Sequence, residues 1–87
     1  MAYRVKFTPK SAKQFSKLDN LVKKRIANYL VKLSTLESPR DLGKALQGEL
    51  SNAWSYRVGN YRILTKIMDK ELLVIILIID HRKQVYK

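Results

Sequence analysis

The side chains best equipped for chemistry gather towards the C-terminal end: Arg57, Arg62 and Lys66, then His81-Arg82-Lys83, then Tyr86. Guanidinium groups neutralise charge developing on a phosphate, and a histidine or tyrosine beside them can donate or accept protons, so this set suits phosphodiester cleavage. An ordinary pKa of about 6.5 makes His81 the readiest proton shuttle near neutrality. Each residue also has a plainer reading. Arg57 and Arg62 fit solvated charge on a strand, His81 a structural imidazole, and Tyr86 a ring laid on a sheet. Trp54 fits a core or sheet-edge anchor better than a base-stacking platform.

Other chemistries find no support in the residue types. One histidine, no cysteine, and acids scattered as Asp69, Glu71 and Asp80 make no metal-ligand cluster. No nucleophile elbow, phosphate loop or dinucleotide fingerprint is present, so no cofactor is expected. Against 7 acidic residues stand 18 Lys and Arg, a net charge of +11. Such a surface attracts RNA, DNA or an acidic protein, among which charge does not choose, and Lys10, Lys13, Lys17, Lys23, Lys24, Arg25, Lys44, Lys66 and Lys83 are the candidate contacts. The longest apolar run, Leu72 to Ile79, has eight residues, where a membrane helix needs about 20. With no signal peptide at the N-terminus, a soluble cytoplasmic protein with no membrane partner is expected.

The 87 residues suffice for one small domain, and with 46% hydrophobic residues it should bury a core. Tyr3 to Phe7 alternates apolar and basic residues, the pattern of a half-buried strand. Thr8-Pro9 signals a helix start, and the helix should run to about Leu18, burying Ala12, Phe15 and Leu18. A second helix, capped by Asp19 or Asn20, carries a stripe of Val22, Ile26, Tyr29, Leu30 and Leu33 and ends before Ser38-Pro39. The connector from Pro39 to Asn52 reads as a loop with room for one helical turn. Ala53 to Val58, Tyr61 to Met68 and Glu71 to Ile79 then form a meander of three antiparallel strands. The last of these is apolar from Leu72 to Ile79, so it belongs inside the sheet between the preceding strand and the first one. The order β-α-α-β-β-β makes an α+β domain, a helical hairpin on one face of an antiparallel sheet. If the final strand runs back beside its predecessor, the residues after Ile79 should bring His81 and Arg82 towards Arg62.

Several blocks together resemble RelE-family toxins of bacterial toxin-antitoxin systems: Tyr3-Arg-Val-Lys-Phe-Thr-Pro-Lys-Ser-Ala-Lys13, Lys44-Ala-Leu-Gln-Gly48, Trp54-Ser-Tyr-Arg-Val-Gly-Asn-Tyr-Arg-Ile63 and Asp80-His-Arg-Lys-Gln-Val-Tyr86. The resemblance spans the chain in order. It implies a RelE-like fold and a metal-independent mRNA interferase, which enters the ribosomal A site and cuts mRNA by attack of a ribose 2′-hydroxyl on the adjacent phosphate. Arg62 then matches the arginine that steadies the transition-state phosphate, and Arg82 the one at the leaving oxygen. Tyr86 matches the terminal tyrosine proposed as general base, and Arg57 stands at a basic strand position. Arginine scarcely deprotonates, so His81 is the preferred proton carrier. The implied partners are a RelB-like cognate antitoxin, the 70S ribosome with its RNA and A-site mRNA, and operator DNA through the antitoxin alone. Ser55 departs from the best-known member, which has a second strand lysine there. Two other functions compete: a ParE-like gyrase inhibitor of the same fold, and a non-catalytic RNA-binding protein.

Overall fold

A computed structural model describes residues 2–46 and 53–81. The chain begins with strand β1 (Arg4–Phe7), and helices α1 (Pro9–Ser16) and α2 (Asn20–Thr35) follow. Thr8 caps α1 by accepting from the Ser11 backbone N–H while the Ser11 hydroxyl accepts from the Thr8 N–H, two donors satisfied reciprocally. The Asp19 carboxylate accepts from Leu21 N–H at the start of α2. A 3₁₀ turn (Pro39–Asp41) leads into the two-residue strand β2 (Lys44–Ala45), and β3 (Ala53–Val58), β4 (Tyr61–Met68) and β5 (Leu73–His81) complete the fold.

The five strands lie in the order β1-β5-β4-β3-β2. As the apolar run demands, β5 sits between β4 and β1, but its pairing with β1 is parallel, so the sheet is mixed rather than antiparallel. Tyr56, Ile63, Ile67, Val74, Ile76 and Ile79 alternate onto the face covered by the helices, where they meet Ile26, Leu30 and Leu33 of α2. In α1 the fully buried residue is Ser11, whereas the expected Ala12 is exposed. The Ser11 hydroxyl donates to the Ile76 carbonyl at 2.7 Å and so fastens α1 to the middle of β5.

At one end of the sheet, three distant segments meet at the β4–β5 turn. Arg40 grips Asp69 with two bonds of 2.9 and 3.1 Å, and the Tyr3 hydroxyl donates to the same carboxylate at 2.7 Å. The bonds from Arg40 and then Tyr3 hold the Asp69 pKa below its ordinary 3.8. A carboxyl whose folded pKa is depressed contributes stability above its unfolded pKa and loses it as pH falls through the folded value. Because the pair is half-exposed, Asp69→Asn is expected to cost no more than about 1 kcal/mol near neutrality. Thermal melts from neutral pH down to about pH 2 should show the wild-type advantage vanishing at the acid end.

Candidate functional site

Strand alternation leaves the sheet face opposite the helices to Arg4, Lys6, Lys44, Arg57, Arg62 and Lys66. Arg57 and Arg62 are direct cross-strand partners, and Arg62 is in turn opposite Asp80. The three side chains therefore form a row across β3, β4 and β5. Like charges set directly opposite are unfavourable in a sheet unless an anion lies between or beside them. Asp80 supplies part of that compensation, with its Oδ2 at 3.4 Å from Arg62 Nη2. Guanidiniums at directly paired positions of a basic face have the chemistry to hold a phosphate. Half-buried Leu64, Ile75 and Ile78 floor the same face.

His81 does not join this row. The last strand runs on through His81 instead of ending at Ile79, and its phase changes at a bulge between the pairs Leu64–Ile78 and Thr65–Ile76. The extra residue, Leu77, shifts the alternation by one, so Asp80 falls on the Arg62 face and His81 on the other. There the imidazole lies edge-on to Tyr61, ring centroids 4.7 Å apart. The expected approach of His81 to Arg62 is thus corrected: the neighbour of Arg62 is Asp80, which the sequence showed merely as a scattered acid. The uninterrupted apolar run before it marks neither face, so the sequence held no signal for this placement. Arg82, Lys83 and Tyr86 lie outside the described residues.

The remaining cations divide between two sides of the sheet. Lys10 and Lys13 on α1, Lys17 at its C-cap, and Lys23, Lys24 and Arg25 on α2 belong to the helical layer. Lys44 and Lys66 share the Arg62 face. Between the helices and β1 runs an apolar groove of about 370 Å³ lined by Val5, Phe7, Phe15, Ala27, Leu30 and Val31. Phe7 and Val31 are exposed along it, and β1 is an edge strand. Among the described residues, no three His, Asp or Glu side chains come together as a metal-binding group, and no helix is long and apolar enough to cross a membrane.

Comparison with known proteins bears on the whole arrangement. Residues 5–86 match the family described as ParE toxin of type II toxin-antitoxin system, parDE. The toxin RelG of Mycobacterium tuberculosis is 33% identical over 87 residues, covering 100% of this chain and 99% of that protein. The toxin-antitoxin complex RelBE2 of the same organism contains a chain that superposes with a TM-score of 0.82 at 34% identity, covering 94% of this chain and 93% of that one. Isolated E. coli RelE shares the fold at a TM-score of 0.78 and 24% identity, with 92% of this chain and 84% of that one aligned. With its order of elements, its mixed sheet and its sequence all in agreement, the chain belongs to the RelE/ParE superfamily of type II toxin-antitoxin toxins.

Proposed function

We propose that this toxin is a ribosome-dependent endoribonuclease that cuts mRNA in the A site and so stops translation. The observation that carries the reading is the directly opposed Arg57–Arg62 pair on a basic sheet face. In the proposed step the ribose 2′-oxygen attacks phosphorus, the bond from phosphorus to the 5′-oxygen breaks, the leaving oxygen takes a proton from water, and a 2′,3′-cyclic phosphate and a 5′-hydroxyl result. The phosphoryl oxygens gain negative charge on the way, and Arg62, seconded by Arg57, is placed to stabilise it. The chemistry needs no metal ion. From the family resemblance, Tyr86 takes the 2′-hydroxyl proton and Arg82 steadies the leaving oxygen; nearby guanidiniums would lower the phenol pKa towards a useful range. His81, turned towards Tyr61, is proposed as a support of the strand end instead of a proton carrier.

The helical cations Lys10, Lys13, Lys17, Lys23, Lys24 and Arg25 would dock on ribosomal RNA, with Lys44, Lys66 and Lys83 nearer the mRNA. Binding to single-stranded RNA should weaken steeply with salt, with a slope of log affinity against log salt of about −0.7 per phosphate contacted. Titrations across a salt series check this, and a flat response removes the electrostatic docking. A RelB-like antitoxin is the proposed neutralising partner, since the +11 charge and the Phe7–Val31 groove suit an acidic, amphipathic segment. Operator DNA would be reached through that antitoxin, and action on ribosomes places the toxin in the cytoplasm.

The family model, a ParE toxin, favours a second reading: inhibition of DNA gyrase on the same fold. Purified toxin added to programmed ribosomes, with mRNA ends mapped by primer extension and gyrase supercoiling measured in parallel, separates the two. Cuts within the A-site codon support the nuclease. Intact mRNA with blocked supercoiling supports the gyrase reading, and neither effect leaves an RNA-binding protein.

A further inference from the structure

We propose that Asp80 is an internal competitor for Arg62, a carboxylate that occupies the guanidinium until an RNA phosphate displaces it and so sets how tightly RNA is gripped; the proposal rests on the RNA-directed reading above. Four observations lead there. The first is weakness of contact: Arg62 Nη2 meets Asp80 Oδ2 at 3.4 Å through a single bond, whereas Arg40 holds Asp69 with two bonds of 2.9 and 3.1 Å. A long, single-point pair near the surface is easily exchanged.

Second, Arg62 is poorly satisfied where it stands. Among the described residues its buried Nε has no hydrogen-bond partner, which costs free energy and lowers the cost of swinging the guanidinium onto a better acceptor. A phosphate offers that acceptor, because it can take two parallel N–H bonds from the fork. Third, the pair can be reached: the side chains of Arg62 and Asp80 are 32% and 38% exposed. Fourth, Asp80 is the one carboxylate among the strand-paired positions of a face that carries Arg4, Lys6, Lys44, Arg57, Arg62 and Lys66. Among the charged residues at these described positions, an incoming phosphate is repelled by Asp80 alone. Exchange of one anion for another at Arg62 moves no proton and breaks no covalent bond.

The test is a double-mutant cycle read by binding. A fluorescent single-stranded RNA carrying 2′-O-methyl groups, which cannot be cleaved by 2′-oxygen attack, is titrated with wild type, Asp80→Asn, Arg62→Ala and the double variant. Asp80→Asn is expected to tighten binding about three- to tenfold, the scale of one exposed ion pair. In the Arg62→Ala background the same substitution should change binding less than about twofold. Asp80→Glu, which keeps the charge, should stay near wild type. Asp80→Ser serves as a second neutral variant if Asp80→Asn melts early. Equal tightening in both backgrounds would show that Asp80 acts through net charge alone and overturns the proposal, as does weaker binding by both neutral variants. The cycle reads RNA binding and not cleavage, so intact mRNA on ribosomes with a coupled cycle removes the nuclease reading alone, whereas cleavage with an uncoupled cycle removes the role of Asp80 alone. A wild type that binds no free RNA removes the role of Asp80 and leaves the nuclease reading to the ribosome assay.

Discussion

Arg62→Ala should reduce A-site cleavage by about 10²- to 10³-fold, the usual loss when one preorganised donor to a developing oxyanion is removed. Its position explains the size: it stands in the middle of a three-residue row, with Arg57 opposite on β3 and Asp80 opposite on β5. Arg57→Ala should cost less, because Arg57 lies on one flank of the row and is exposed. Arg62→Lys should recover a part of the loss, since an ammonium supplies charge but not a fork. Stability separates loss of chemistry from loss of fold. Removing Arg62 gives up one long, partly exposed pair and relieves its opposition to Arg57, so the melting temperature should shift little. Single-turnover primer extension on programmed ribosomes measures the rates. Wild-type cleavage by Arg62→Ala would take the phosphate seat out of the mechanism.

The largest loss of stability from a small change is expected at Gly43. Its φ of 72° lies in the left-handed region, and an added Cβ would overlap the Ser55 carbonyl oxygen and sit 2.7 Å from the Tyr56 ring. The backbone of β3 cannot yield there, because Tyr56 is wholly buried and its hydroxyl donates to the Pro39 carbonyl at 2.6 Å. Gly59 is the natural control. It too has a positive φ, 58°, but the nearest atom to an added Cβ is the end of the Arg25 side chain at 3.9 Å. Gly59→Ala should cost about 1–2 kcal/mol for the backbone alone. Gly43→Ala adds overpacking and should reach about 2–5 kcal/mol. At roughly 4–8 °C per kcal/mol for a domain of this size, thermal unfolding resolves the difference. Equal losses at the two glycines would mean that the chain around Gly43 relaxes freely.

How much of this was legible in the chain depended on local signals. β3 and β4 begin and end where alternation and the Gly59-Asn60 turn place them, and both helices start at their caps. β2 was not legible: two residues carry no period, and Lys44 and Ala45 are strand residues through their pairing with Ser55 and Trp54. The burial of Ser11 in place of Ala12 comes from a hydrogen bond to a residue 65 positions away, which no helical pattern encodes. The neighbours of β5 followed from its apolar content, but not its parallel direction beside β1. The main error in the site has one cause. From Leu72 to Ile79 every residue is apolar, so neither face is marked and a bulge at Leu77 leaves no trace. Residue type and the family resemblance marked Arg57 and Arg62 as possible phosphate ligands; neither could say which of Asp80 and His81 would stand beside them.

The parallel union of β1 with β5 also bears on how the molecule is made. Arg4 through Phe7 find their partners at Leu73 through Ile76, so β1 must wait for a strand made much later. Closing so long a loop is slow compared with forming a hairpin. During synthesis β1 therefore has no strand partner until β5 has emerged, and a chain that stops before β5 lacks both Asp80 and the strand that flanks Arg62.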